Sequence, residues 1–122
     1  MTIEETVKLA VSAIEEKKGE DIRIIDIQNV TVIADYFIIA NGTNRSQIQA
    51  MSDELVDTLG RAGVVCRQTE GYQTANWILL DFGDIIVHLF DKENRLFYNL
   101  ERIWRDGKEI DPESLTKKRE NL

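Results

Sequence analysis

The chain has 122 residues, of which 43% are apolar and 30% charged, with 22 acidic against 15 basic side chains and a formal net charge of −7. That length fits one domain, the apolar share excludes a disordered chain, and no run approaches the 18 apolar residues of a membrane span. Residues 1–90 hold fourteen acids and seven bases whereas residues 91–122 hold eight of each, so the acidic excess lies in the body of the chain, where it opposes phosphate binding and suits a basic protein.

Thr2 with Glu5 makes a capping-box start, and Ile3, Val7, Ala10, Val11 and Ile14 follow at helical spacing up to Lys17, Lys18 and Gly19. This is an amphipathic first helix, with no basic segment and apolar run of the kind that begins a secreted protein. Ile22 to Ile27 is short and β-branched and reads as a strand; Tyr36 to Ala40 reads as a second, fully buried one. Gly42, Thr43 and Asn44 open a second helix whose stripe is Ile48, Met51, Leu55, Leu59 and Ala62, with Gly63 as its stop. Val64 to Arg67 begins a third strand, and the polar stretch Thr69 to Asn76 is a loop.

Trp77 to Phe82 and Ile85 to Phe90 are strands joined by Gly83-Asp84, with glycine at the first central position of a two-residue hairpin turn. In that register Phe82, Ile85, Leu80, Val87, Ile78 and Leu89 share one apolar face. The other face pairs Asp81 with Ile86, Leu79 with His88, and Trp77 with Phe90. Helical spacing returns from Asn94 to Trp104, and Asp106 to Leu122, with the single proline and few apolar residues, reads as a mobile tail. The order α-β-β-α-β-β-β-α predicts an α/β single domain over residues 1–105, a mixed β-sheet packed with helices, and a tail over 106–122.

Several residues invite a chemical reading. Asp81 and Asp84 could hold Mg²⁺, but Asp84 in a tight turn has a local backbone role, and the Asp-Phe-Gly string stands without the other protein-kinase motifs. Gly42-Thr43 at a helix start, assisted by Arg45, could bind an anion, and that is the basis of an alternative reading as a nucleotide-binding or nucleotidyltransferase-type enzyme. Ordinary capping by Thr43 or Asn44 competes with it. His88, the only histidine, would need Cys66 and Asp81 for a triad, yet no nucleophile motif surrounds Cys66; one polar contact on the mixed face is the simpler expectation. No catalytic residue, metal or cofactor is expected. Cys66 is also the only cysteine, which rules out an intramolecular disulfide and suits a reducing cytoplasm. Trp77, Leu79, Ile86 and Phe90 beside Asp81 and His88 have the composition of a protein-binding patch, unless the third helix or the tail covers them. A dimeric adaptor using that patch for self-association alone is a further reading.

Asp35-Tyr36-Phe37, Gly42-Thr43, Glu70-Gly71, Trp77, Asp81-Phe82-Gly83-Asp84, Val87-His88-Leu89-Phe90 and Arg95-Leu96-Phe97-Tyr98-Asn99-Leu100-Glu101 occur in this order. In this set the chain resembles the ribosomal silencing factors, the Iojap-related family, from the first helix to Trp104. The resemblance implies a nucleotidyltransferase-like fold without transferase chemistry, and Asp81 and Asp84, three apart, do not form the catalytic Asp-x-Asp pair of that fold. It also implies a translational repressor that binds the large ribosomal subunit through large-subunit ribosomal protein fourteen, blocks joining of the small subunit when nutrients are short, and forms a homodimer when free. DNA and membranes are not implied partners. Carried over by motif, the partner-binding residues are Glu70, Trp77, Leu79, Asp81, Arg95 and Tyr98. Lys117, Lys118 and Arg119 in the tail read as a solvated charge run.

Overall fold

A computed structural model describes residues 1–98 and 108–110. The elements run α1 (Ile3–Glu16), β1 (Glu20–Asp26), β2 (Tyr36–Gly42), α2 (Arg45–Arg61), β3 (Gln68–Glu70), β4 (Trp77–Asp81), β5 (Ile85–Asp91), α3 (Lys92–Tyr98) and β6 (Lys108–Ile110). The six strands form one sheet in the order β3-β4-β5-β2-β1-β6. Only the central pair, β2 and β5, is parallel; α2, β3 and β4 lie between them in the chain, and every other pairing is antiparallel. This is the α/β single domain with a mixed sheet and helices that the element pattern predicts.

Local chemistry accounts for the helices. Thr2 Oγ1 accepts from the Glu5 amide at 3.1 Å to start α1, and Asn44 Oδ1 accepts from the Gln47 amide at 2.8 Å to start α2. Val7, Ala10, Val11 and Ile14 of α1 and Ile48, Met51, Leu55 and Leu59 of α2 pack with Ile24, Ile38, Ala40, Ile78, Leu80, Val87 and Leu89 in one core on one face of the sheet. The opposite face carries a smaller cluster built on Ile25, Ile27, Ala34, Phe37, Ile39, Ile86 and Phe90.

The β4–β5 hairpin has the predicted register: Trp77 pairs with Phe90, Ile78 with Leu89, Leu79 with His88, Leu80 with Val87 and Asp81 with Ile86. The Phe82 amide donates to the Ile85 carbonyl at 2.9 Å to close the turn, and Gly83 takes φ +91°, which explains the glycine there.

Three expectations change. The third strand is Gln68–Glu70, outside Val64 to Arg67, and all three of its residues are exposed. An edge strand supported on one side needs no buried face, so hydropathy did not mark it. The third helix starts two residues early, at Lys92, because the Asp91 carboxylate accepts from the Asn94 amide at 2.7 Å; its expected continuation to Trp104 lies outside the described residues. Within the segment read as a tail, Lys108–Ile110 forms β6 against Ile24, Ile25 and Asp26 of β1, while 111–122 lies outside the described residues.

Gly71 has φ +79°, and a Cβ there would drive into the backbone carbonyl of Trp77. Gly71→Ala is expected to lower unfolding free energy by about 2 kcal/mol or more, seen as a shifted denaturant midpoint with an unchanged slope.

Candidate functional site

The site is built on the sheet face opposite the two long helices. Side chains on this face alternate with those in the main core, so the hairpin register puts Trp77, Leu79 and Asp81 of β4 on it together with Ile86, His88 and Phe90 of β5. Strand β3 adds its own row, with Gln68 opposite Asp81 and Glu70 opposite Leu79. Ile86, His88 and Phe90 are buried, Trp77, Leu79 and Asp81 are half-buried, and Gln68 and Glu70 are exposed. Exposure therefore rises from the centre of the sheet to its β3 edge.

Four aromatic or imidazole rings form the floor. The Trp77 indole stacks on Phe90 with centroids 5.2 Å apart and an interplanar angle of 26°. Its Nε1–H donates to His88 Nδ1 at 3.0 Å, the polar contact expected for His88. The imidazole meets the Phe37 ring edge-on, 4.6 Å away at 70°. Burial, which penalises a charged imidazole, pushes the His88 pKa down from 6.5 to about 4.

The carboxylates have distinct positions. Asp81 Oδ1 accepts from the Gly83 amide at 2.8 Å and so ties the hairpin turn, while Asp84 is exposed and its carbonyl accepts from the Asp35 amide at 2.8 Å. Glu70 stands at the sheet edge with Gln68 Nε2 donating to its Oε1. Cys66 Sγ lies 3.3 Å from Thr69 Oγ1, away from the His88 contact set.

The structure thus brings Glu70, Trp77, Leu79 and Asp81 together and sets Arg95 apart. Arg95, on α3, donates from Nη1 to Asn41 Oδ1 and to the Asp21 carbonyl, both at 2.7 Å, and its side chain is only 9% exposed. Asn41 lies on β2 beside Phe90, so Arg95 joins α3 to the same row of the sheet two strands from Trp77. Tyr98 is the last residue of α3. Sequence reasoning missed Glu70 as a strand residue facing Leu79, and missed Asn41 as the buried receptor for Arg95; a polar residue in an otherwise apolar strand was the signal for the second.

The Gly42-Thr43 helix start is occupied by its own side chains. The Thr43 amide and hydroxyl both donate to Gln47 Oε1, at 2.7 and 2.9 Å, and a Cβ on Gly42 would press on Ile48 and Met51. Arg45 reaches the Gln73 carbonyl at 2.9 Å instead of the helix start. Capping and packing account for these residues, and Gly42 serves close approach of its own helix. Among the described residues no cluster of three or more His, Cys, Asp or Glu could hold a metal ion, and no helix is long and apolar enough to cross a membrane.

Comparison with known proteins defines the class. The family model described as ribosomal silencing factor during starvation matches residues 1–122. A Halalkalibacterium halodurans protein named ribosomal silencing factor RsfS is 36% identical over 115 residues, which is 94% of this chain and 98% of that protein. A crystal structure of a Chromobacterium violaceum protein superposes with a TM-score of 0.83 at 35% identity, covering 85% of this chain and 87% of that one. A mouse (Mus musculus) protein named mitochondrial assembly of ribosomal large subunit protein 1 is 30% identical over 103 residues, 80% of this chain and 44% of that protein. Two of these names refer to the ribosome, one to its silencing and one to assembly of its large subunit. The chain belongs to the ribosomal silencing factor family, and a ribosome-associated role in silencing translation follows from that membership.

His88 gives the site a pH signature. Its folded pKa of about 4 lies below the ordinary 6.5, so the unfolded chain binds the proton more readily, and the stability due to neutral His88 is full above pH 6.5 and lost as pH falls toward 4. Wild type should lose roughly 2 kcal/mol more than a non-titrating His88→Phe variant between about pH 7 and pH 5, measured by denaturant titration.

Proposed function

We propose that this protein represses translation by binding the large ribosomal subunit through large-subunit ribosomal protein fourteen and standing in the way of the small subunit, when nutrients are limiting. It acts in the cytoplasm, without catalysis, on a nucleotidyltransferase-like scaffold, and pairs as a homodimer when free. The observation that carries this reading is the face on β3 and β4, where the half-buried Trp77 and Leu79 lie flanked by Glu70 and Asp81. An aromatic anchor beside an aliphatic one, with carboxylates at the rim, is suited to a basic protein surface. The net charge of −7 supports a protein contact over an RNA contact.

The roles divide by burial. Trp77 and Leu79 supply apolar contact area, Glu70 steers from an exposed edge, and Asp81 shapes the turn as well as adding charge. Arg95 contributes by seating α3 on Asn41 and Asp21, and Tyr98 is taken as a partner-binding residue from its motif.

Co-sedimentation with purified large subunits and a subunit-joining assay test the proposal. Trp77→Ala should weaken binding at least about tenfold and restore joining; unchanged affinity in a folded variant would sink the assignment. Glu70→Lys should slow association and flatten its salt dependence while leaving dissociation nearly unchanged. Identical association kinetics at low and high salt for both proteins would remove Glu70 from the interface.

A further inference from the structure

Trp77 is half-buried and bonded to a histidine buried behind it. His88 is only 4% exposed, and a buried imidazole is costly unless its nitrogens are used. Nε2 is buried without a hydrogen-bond partner among the described residues. The nitrogen with a partner is Nδ1, which accepts the Trp77 indole N–H at 3.0 Å. An accepting Nδ1 places the ring proton on Nε2 and requires the neutral ring. Burial keeps the ring neutral down to about pH 4, so the acceptor is available throughout the neutral range.

The imidazole is itself fixed from two sides. Phe37 meets it edge-on at 4.6 Å, and Phe90 lies nearly parallel to it at 6.4 Å and 10°. Phe90 also stacks under the indole. Stacking has little directionality within the plane of the rings, and the bond from Nε1 to Nδ1 adds a directional constraint there.

We propose that His88 is a positioning residue: its Nδ1 locks the Trp77 indole in one orientation on Phe90, so that the half-buried anchor meets its partner already ordered. This rests on the reading of Trp77 as the partner-binding anchor. An aromatic held in its bound orientation loses less freedom on association, and the gain is in affinity, with no contact between His88 and the partner.

The decisive measurements combine spectroscopy with binding to purified bacterial large ribosomal subunits. In ¹⁵N-labelled wild type, with Trp77→Ala used to assign the indole resonance, a scalar coupling across the hydrogen bond should join Trp77 Nε1 to His88 Nδ1. Its absence overturns the proposal without recourse to any His88 variant. His88→Phe keeps a flat ring against Phe37 and Phe90 but removes the acceptor, and should weaken subunit binding roughly fivefold while the indole N–H exchanges faster with solvent. His88→Asn returns an acceptor close to the Nδ1 position and should recover affinity to within about twofold of wild type. Full affinity in folded His88→Phe, with Trp77→Ala still weakened, rejects the role of His88 and retains that of Trp77. Equal losses in His88→Phe and His88→Asn also reject it, as the mark of a packing residue. Full affinity in Trp77→Ala rejects the anchor reading beneath both.

Discussion

The register of the β4–β5 hairpin is the constraint on which the rest of the molecule depends. A strand alternates its side chains between faces, so a slip of one residue would turn Ile78 and Leu80 away from the helices and put Trp77, Leu79 and Asp81 into the main core. Gly83, with φ +91°, and the Asp81 carboxylate that accepts its amide determine where the chain reverses. From that reversal follow the pairing of Trp77 with Phe90 and of Leu79 with His88. Strand β5 then passes the same phase to β2 through the parallel ladder, which puts Phe37, Ile39 and Asn41 on the site face.

Two kinds of burial follow. The face under α1 and α2 is packed with aliphatic side chains and contributes stability through area removed from water. The opposite face mixes rings, one imidazole and one buried amide, and carries two specific polar pairs: Trp77 with His88, and Arg95 with Asn41. Buried polar pairs add little net stability but penalise any arrangement that breaks them, so they specify geometry. The site face is therefore the one held by directional bonds.

Most of this was legible in the sequence wherever hydropathy and turn chemistry act over a few residues. Thr2 and the Gly42-Thr43-Asn44 run announced the helix starts, and Gly83-Asp84 with alternating apolar residues announced the hairpin and its register. Legibility ended where a residue's position is set by a distant partner. Glu70 lies in a polar stretch that looks like a loop, and only the ladder from β4 makes it a strand residue opposite Leu79. Arg95 sits in a motif that suggested partner binding, yet its guanidinium is turned to Asp21 and Asn41, 74 and 54 residues earlier. The Trp77 to His88 bond runs diagonally between neighbouring cross-strand pairs, so pairing rules identified both residues without joining them.

The edge beside the site is blunted against pairing with another strand. Strand β3 is three residues long, wholly exposed, and made of Gln68, Thr69 and Glu70. So short and polar an edge offers few backbone groups for another strand to pair with, and a carboxylate in its last position repels a like-charged copy. Trp77 and Leu79 lie one strand inward, half-buried and flanked by Glu70 and Asp81. Carboxylates at such a rim favour a basic surface over an acidic one. The excess of acids over bases in residues 1–90 extends the same electrostatic preference across the body of the domain.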